Sequence, residues 1–143
     1  MFGNHHKVLQ LAKENNTRSL SKYLSNHQNS VNSKNRNGQT ALQISCKNGN
    51  LDMVLMLIFR GCDVNLKDFS QNSPLMLALE NGHEHVALAL IEREAEVNIL
   101  NSNSENPLHL ACRKNCSLAV FHLLKRGMNV NNTDLVSYCL PFI

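Results

Sequence analysis

Tryptophan is absent from this chain of 143 residues, and aromatic residues of all kinds make up only 5%. Any core must therefore be built from Leu, Val, Ala and Met, which the 43% hydrophobic content supplies. Long apolar runs are missing as well. The longest, residues 53–59, falls far short of the roughly 20 residues that a membrane span requires, so no direct membrane insertion is expected. No apolar stretch follows Met1-Phe2-Gly3-Asn4-His5-His6, so no secretory signal is expected either. Excess charge is missing too: the net +3 is dispersed along the chain and gives no basis for nucleic-acid binding. The cysteines number five. An odd count argues against a disulfide framework and for a reducing compartment inside the cell, the cytoplasm first and the nucleus second.

Catalytic signatures are equally scarce. There is no Gly-x-Ser-x-Gly, no Cys-His pairing motif and no glycine loop to cradle phosphate. A nucleophile needs a base beside it and a third group to orient that base, and no such set stands out. No enzymatic activity, cofactor or small-molecule substrate is expected.

What the chain does have is a period. Asp63-Val64-Asn65, Glu96-Val97-Asn98 and Asn129-Val130-Asn131 recur every 33 residues. Thr40-Ala41-Leu42 returns as Ser73-Pro74-Leu75 and again as Asn106-Pro107-Leu108. Asn48-Gly49-Asn50 returns as Asn81-Gly82-His83, without insertions between the copies. A fixed period of this length marks stacked supersecondary units, none able to bury its apolar face alone. Much of the asparagine, 21 residues in all, falls in the turns this period predicts, where Asn enters left-handed conformations and caps helices.

The repeated residues resemble the ankyrin repeat. Gly38-Gln39-Thr40-Ala41-Leu42, Asn106-Pro107-Leu108-His109-Leu110-Ala111-Cys112, Asn81-Gly82-His83 and Arg60-Gly61-Cys62-Asp63-Val64-Asn65 carry the likeness. That repeat has a Thr-Pro-Leu-His-x-Ala run, a central Gly-His and a closing Gly-Ala-Asp-Val-Asn. The likeness covers roughly residues 7–134. It implies an all-α solenoid of stacked helix-turn-helix units with β-turn or hairpin fingers. The expected units are a capping half-repeat of helices only at 4–33, repeats at 34–66, 67–99 and 100–132, and the truncated start of a fourth at 133–143.

Within that frame, helices are expected at 41–47 and 51–60, capped by Thr40 and Asn50 and closed by Gly49 and Gly61. Gln71, Glu94, Ser104 and Asn115 stand where the repeat usually has glycine. If the backbone keeps a positive φ there, Gln71 and Glu94 each cost on the order of 1 kcal/mol, and the 67–99 unit is the softest joint. The edge formed by Leu110, Val120 and Leu124 is expected to be partly bare, which opens self-association through an uncapped C-terminal end.

The spacing of His109, Cys112, Cys116 and His122 invites zinc, which favours four such ligands. The register argues against it. His109 falls on the Pro-Leu-His site, where the resemblance implies a ring bonded to turn backbones. Cys112 replaces a packed Ala, and His122 lies on another helix. No metal is expected.

The resemblance instead implies a binding groove lined by finger tips and first helices. The finger-tip candidates are Lys34, Arg36, Asn37 and Gln39, then Lys67, Phe69, Ser70 and Asn72, then Leu100, Ser102, Asn103 and Glu105. The first-helix candidates include Lys47, Glu80, Arg113 and Lys114. Charge along this surface alternates, with Asp68 and Glu80 acidic between basic ends. Phe69 is either an anchor for a partner or a ring packed on the neighbouring finger. A further implication concerns the asparaginyl hydroxylase of ankyrin repeats, which takes the Asn of Val-Asn with an acid two before and Leu eight before. Asn65, with Asp63 and Leu57, and Asn98, with Glu96 and Leu90, fit that pattern.

The functional expectation is a non-catalytic scaffold or adaptor that binds another protein in its groove. The alternative is a regulatory ankyrin module, a fragment or splice form, of a larger adaptor, enzyme or membrane-associated protein.

Overall fold

The structure, a computed structural model, describes residues 3–128. Eight α-helices occur among them, with no strand: α1 Gly3–Lys13, α2 Thr17–Asn26, α3 Ala41–Asn48, α4 Leu51–Phe59, α5 Pro74–Glu80, α6 Glu84–Glu92, α7 Pro107–Arg113 and α8 Ser117–Lys125. They form four antiparallel pairs. The first helices α1, α3, α5 and α7 pack on one another in order, and so do the second helices α2, α4, α6 and α8. This is a one-dimensional stack in which each pair touches its neighbours.

Helix starts follow from side-chain chemistry. Thr40 accepts from the amide of Gln43 while the Gln43 side chain accepts from the amide of Thr40, a reciprocal capping box. Ser73 and Asn106 cap α5 and α7 in the same way from the N-cap side, each followed by Pro at the first helical position. Gly49 ends α3 at φ 74. Helix ends depart from expectation by one residue, at Asn48 and Phe59. Asn50 is the N-cap of α4, yet its side chain makes no capping bond.

The second helices α4, α6 and α8 bury the third, fourth and seventh residues of each, whereas α2 buries Leu20 and Leu24. Met53, Val54 and Leu57 in α4, Val86, Ala87 and Leu90 in α6, and Ala119, Val120 and Leu123 in α8 are all buried. At helical spacing those positions share one face. Together with Leu42, Leu75 and Leu108 they form one continuous core. Truncating a fully buried leucine such as Leu57 or Leu90 costs about 2–5 kcal/mol.

Two expectations are corrected here. Leu110 and Val120 are buried, and Leu124 is half-buried; they belong to the continuous core, so no bare edge exists at Leu110 or Val120. Self-association rested on that edge and on residues 133–143, which lie outside the described residues. Among the cysteines, Cys46, Cys62 and Cys116 are free thiols, whereas Cys112 is disulfide-bonded. Cys112 sits in the last described helix pair, where no further described pair closes over it. No helix among the described residues is long and apolar enough to cross a membrane.

Candidate partner-binding groove

Each finger is a five-residue loop pinned by one side chain. Asn35 Oδ1 accepts from the amides of Asn37 and Gln39, both at 2.9 Å. Asp68 Oδ1 accepts from Ser70 and Asn72, and Asn101 Oδ1 from Asn103 and Glu105. The backbone closes the same loops, with the amides of Asn35, Asp68 and Asn101 donating to the carbonyls of Gln39, Asn72 and Glu105. Asx-type bonds of this kind replace a strand ladder, which explains fingers without strands. Neighbouring fingers are stitched by Phe69 N–H to the Asn37 carbonyl at 3.1 Å and Ser102 N–H to the Ser70 carbonyl at 3.0 Å.

Asp68 is thereby corrected as a groove charge. It is buried and committed to two amides, so it does not offer an acid to a ligand.

The finger-tip candidates divide into projecting and committed side chains. Lys34, Arg36, Asn37, Phe69, Ser70, Ser102 and Asn103 are exposed. Gln39 is held by Asn35 at 3.2 Å, and Asn72 accepts from the Asn101 side chain at 3.1 Å. Lys67 is half-buried, and its carbonyl accepts from Lys34 Nζ. Phe69 packs on the neighbouring finger and is nonetheless largely in solvent. One face of the ring lies against Gly38 of the preceding finger, yet the residue remains 72% exposed.

On the first helices, Lys47 and Lys114 are exposed. The Lys47 carbonyl accepts from His83 Nε2 at 3.0 Å, so that nitrogen carries the proton. Glu80, Glu105 and Arg113 are brought together: Arg113 bridges both carboxylates, and these are the ion pairs among the described residues. The Asn101 amide first, and Arg113 after it, hold the Glu105 carboxyl below its ordinary range. Bonds from Glu105 and then Glu80 raise Arg113. Arg113 was expected to meet a partner; here its charge is already met.

The other motifs take structural roles. His109 Nδ1 accepts from the Asn106 amide within its own N-cap, and no group of three or more metal-ligating side chains occurs among the described residues. Asn65 Oδ1 accepts from the Glu96 amide, as Asn32 Oδ1 does from Asp63, both at 2.9 Å. These asparagines bridge successive turns. Asn98 is exposed and Asn65 half-buried.

Two features escaped the sequence reading. One is an apolar set on the outward side of the second helices: Leu55 and Phe59 on α4, Leu118 and Phe121 on α8, with Phe59 85% exposed. Leu55, Leu88 and Phe121 recur at the 33-residue period, which was the available signal. The other is a cleft of about 820 Å³ between α1 and the first finger, lined by His5, His6, Lys13, Lys34 and Arg36 among others.

A stack of helix pairs with Asx-pinned fingers defines an all-α repeat solenoid as its class. The family described as ankyrin repeats, in three copies, matches residues 61–134, and the one described as ankyrin repeats, in many copies, matches residues 23–78. The chain belongs to the ankyrin-repeat family. No curated protein matches it. Ankyrin repeats are generally protein–protein interaction modules.

Proposed function

We propose that this chain is a non-catalytic scaffold or adaptor that holds a partner protein along the groove between its fingers and first helices. The observation that carries this reading is the division of labour in the fingers. Main-chain groups there are consumed by Asn35, Asp68 and Asn101 and by the next finger, while Arg36, Phe69, Ser70, Ser102 and Asn103 project into solvent. A rigid scaffold carrying projecting side chains loses little order on binding. Phe69 is the expected anchor, since aromatic residues at the centre of an interface carry a large share of its energy. The exposed Lys34, Lys47 and Lys114 would contribute to the polar rim of such an interface.

The test is partner capture in cells by proximity labelling. Wild type is compared with a Phe69→Ala, Ser102→Arg, Lys114→Ala variant and with a Lys22→Glu, Lys125→Glu variant altered on the second helices. Proteins lost from the first variant and retained by the second support the groove. Identical lists from all three remove it.

A further inference from the structure

We propose that the N-terminal end of the groove recognises an acidic, unmodified segment of a partner protein, a refinement that rests on the groove reading above. The cleft between α1 and the first finger is lined by Lys13, Lys34 and Arg36 together with His5 and His6, and by no carboxylate. Both ion pairs among the described residues belong to Arg113 at the far end, so none of these three cations is met by a carboxylate. Glu14, the acid next to Lys13, does not line the cleft and is held by Gln10 Nε2 at 2.9 Å. The groove therefore has a one-sided field, neutralised by Glu80 and Glu105 at one end and open at the other. Low-dielectric walls around charge of one sign focus that field on an incoming ligand.

The repeat register shows that this charge is particular to the first unit. Counting on from Lys13 in steps of 33 gives Cys46, Leu79 and Cys112, all buried. The same position is a buried leucine or cysteine in three units and an exposed lysine in the unit facing the cleft. A second detail concerns His5. Its Nδ1 lies 2.5 Å from Ser33 Oγ, and that hydroxyl donates to the Ser30 carbonyl at 2.7 Å. The hydroxyl has one proton, so His5 Nδ1 is the donor and the ring is anchored at the cleft wall.

Several separate carboxylates fit this arrangement better than one phosphate. Phosphate recognition favours converging arginines with paired donors. Here two of the three cations are lysines, and the charges are spread along a cleft of about 820 Å³. Lysine is a mobile point charge that meets a carboxylate without strict geometry.

The test uses the whole chain and fluorescence anisotropy with three labelled probes: a short Asp/Glu-rich peptide, its Asn/Gln counterpart, and a single-stranded oligonucleotide of equal charge. The acidic peptide is expected to bind at least about tenfold more tightly than its amide counterpart, and to weaken as salt rises through about 0.1 M, where the screening length is about 10 Å. Lys13→Glu with Arg36→Glu should abolish binding, and Lys13→Gln with Arg36→Gln should weaken it about tenfold. Lys22→Glu with Lys125→Glu, an equal charge change elsewhere, should leave it intact. Circular dichroism confirms that each variant folds; the glutamine pair carries the test if the glutamate pair does not. Equal binding of the amide peptide, equal loss in the control pair, or tighter binding of the oligonucleotide would overturn the proposal. Partner capture separates the two levels. Loss in the Phe69 variant with retention in Lys13→Gln, Arg36→Gln leaves the groove standing and removes the acidic segment; retention in both removes the groove itself.

Discussion

Phe69 lies on Gly38 so closely that a Cβ at Gly38 would stand 2.6 Å from the ring's Cδ1. Gly38 also has φ 74, a conformation that favours glycine. Gly38→Ala should therefore cost about 1–2 kcal/mol from backbone strain alone and swing the Phe69 ring outward. Phe69→Ala, with most of the ring already in water, should change stability by less than about 0.5 kcal/mol. Urea midpoints of the two variants check this ordering. If Phe69→Ala proved the more damaging, the ring would be a structural element and a poor candidate for the anchor.

The left-handed residues other than glycine yield an opposite prediction. Gln71 has φ 60 and Glu94 φ 61, so the conditional cost attached to them is present. Glu94→Gly should raise stability by about 0.5–1 kcal/mol, the relief of strain being partly offset by a more flexible unfolded chain. Asn115, at φ 59, should gain less, because Asn enters this region readily. A Glu94→Gly midpoint at or below wild type would mean that the turn carries no strain.

The fold was legible because the chain states it several times over. A 33-residue period, with Thr40, Ser73 and Asn106 at one register position, fixes the helix starts through capping chemistry alone. The finger pins were not legible. Asn35, Asp68 and Asn101 differ in charge, and Asp68 reads as an acid until its two amide donors are seen. The Arg113 bridge was within reach, since Glu80 lies one period before it and residues one period apart are neighbours in a stack. Glu84 was harder. It lies 34 residues before Leu118 and accepts from the amides of Leu118 and Ala119, capping α8 from the preceding helix pair where Cys116 offers no cap.

The bridge at Arg113 makes stability depend on pH. The Glu105 carboxyl is depressed in the folded chain by Asn101 and then Arg113. A group with a lowered folded pKa contributes stability above its unfolded value, about 4.3 for Glu, and that contribution is lost as pH falls through the folded value. Glu105→Gln should flatten the acid side of the stability profile and leave its slope above about pH 6 unchanged. Denaturant midpoints measured across the acid range check this. An unaltered acid limb would remove Glu105 as a contributor.

Burial makes two of the thiols poor nucleophiles. Cys62 is pushed up to about 12 by burial, with Asp63 adding to it, and Cys46 is raised by burial and then by Cys62. The thiolate is the reactive form, so a maleimide should leave both unmodified in the native chain at neutral pH and label them once urea unfolds it. Mass spectrometry of digested samples reads each site. Rapid native labelling of Cys46 would mean that the α3–α5 contact opens locally.

Asparagine hydroxylation should follow exposure. Asn65 and Asn98 share the acid and leucine spacing that the ankyrin-directed hydroxylase takes, but they differ in surroundings. Asn65 is half-buried with its Oδ1 bonded to the Glu96 amide, whereas Asn98 is exposed. An enzyme must draw the side chain out of its turn, and a local opening costs more where a bridging bond has to break first. On incubation with the hydroxylase, Asn98 should gain one oxygen before Asn65 does. Glu96→Pro, which removes the amide donor to Asn65, should narrow the gap. Peptide mass spectra over time would show the order; modification of Asn65 ahead of Asn98 would mean that sequence context, and not accessibility, sets the rate.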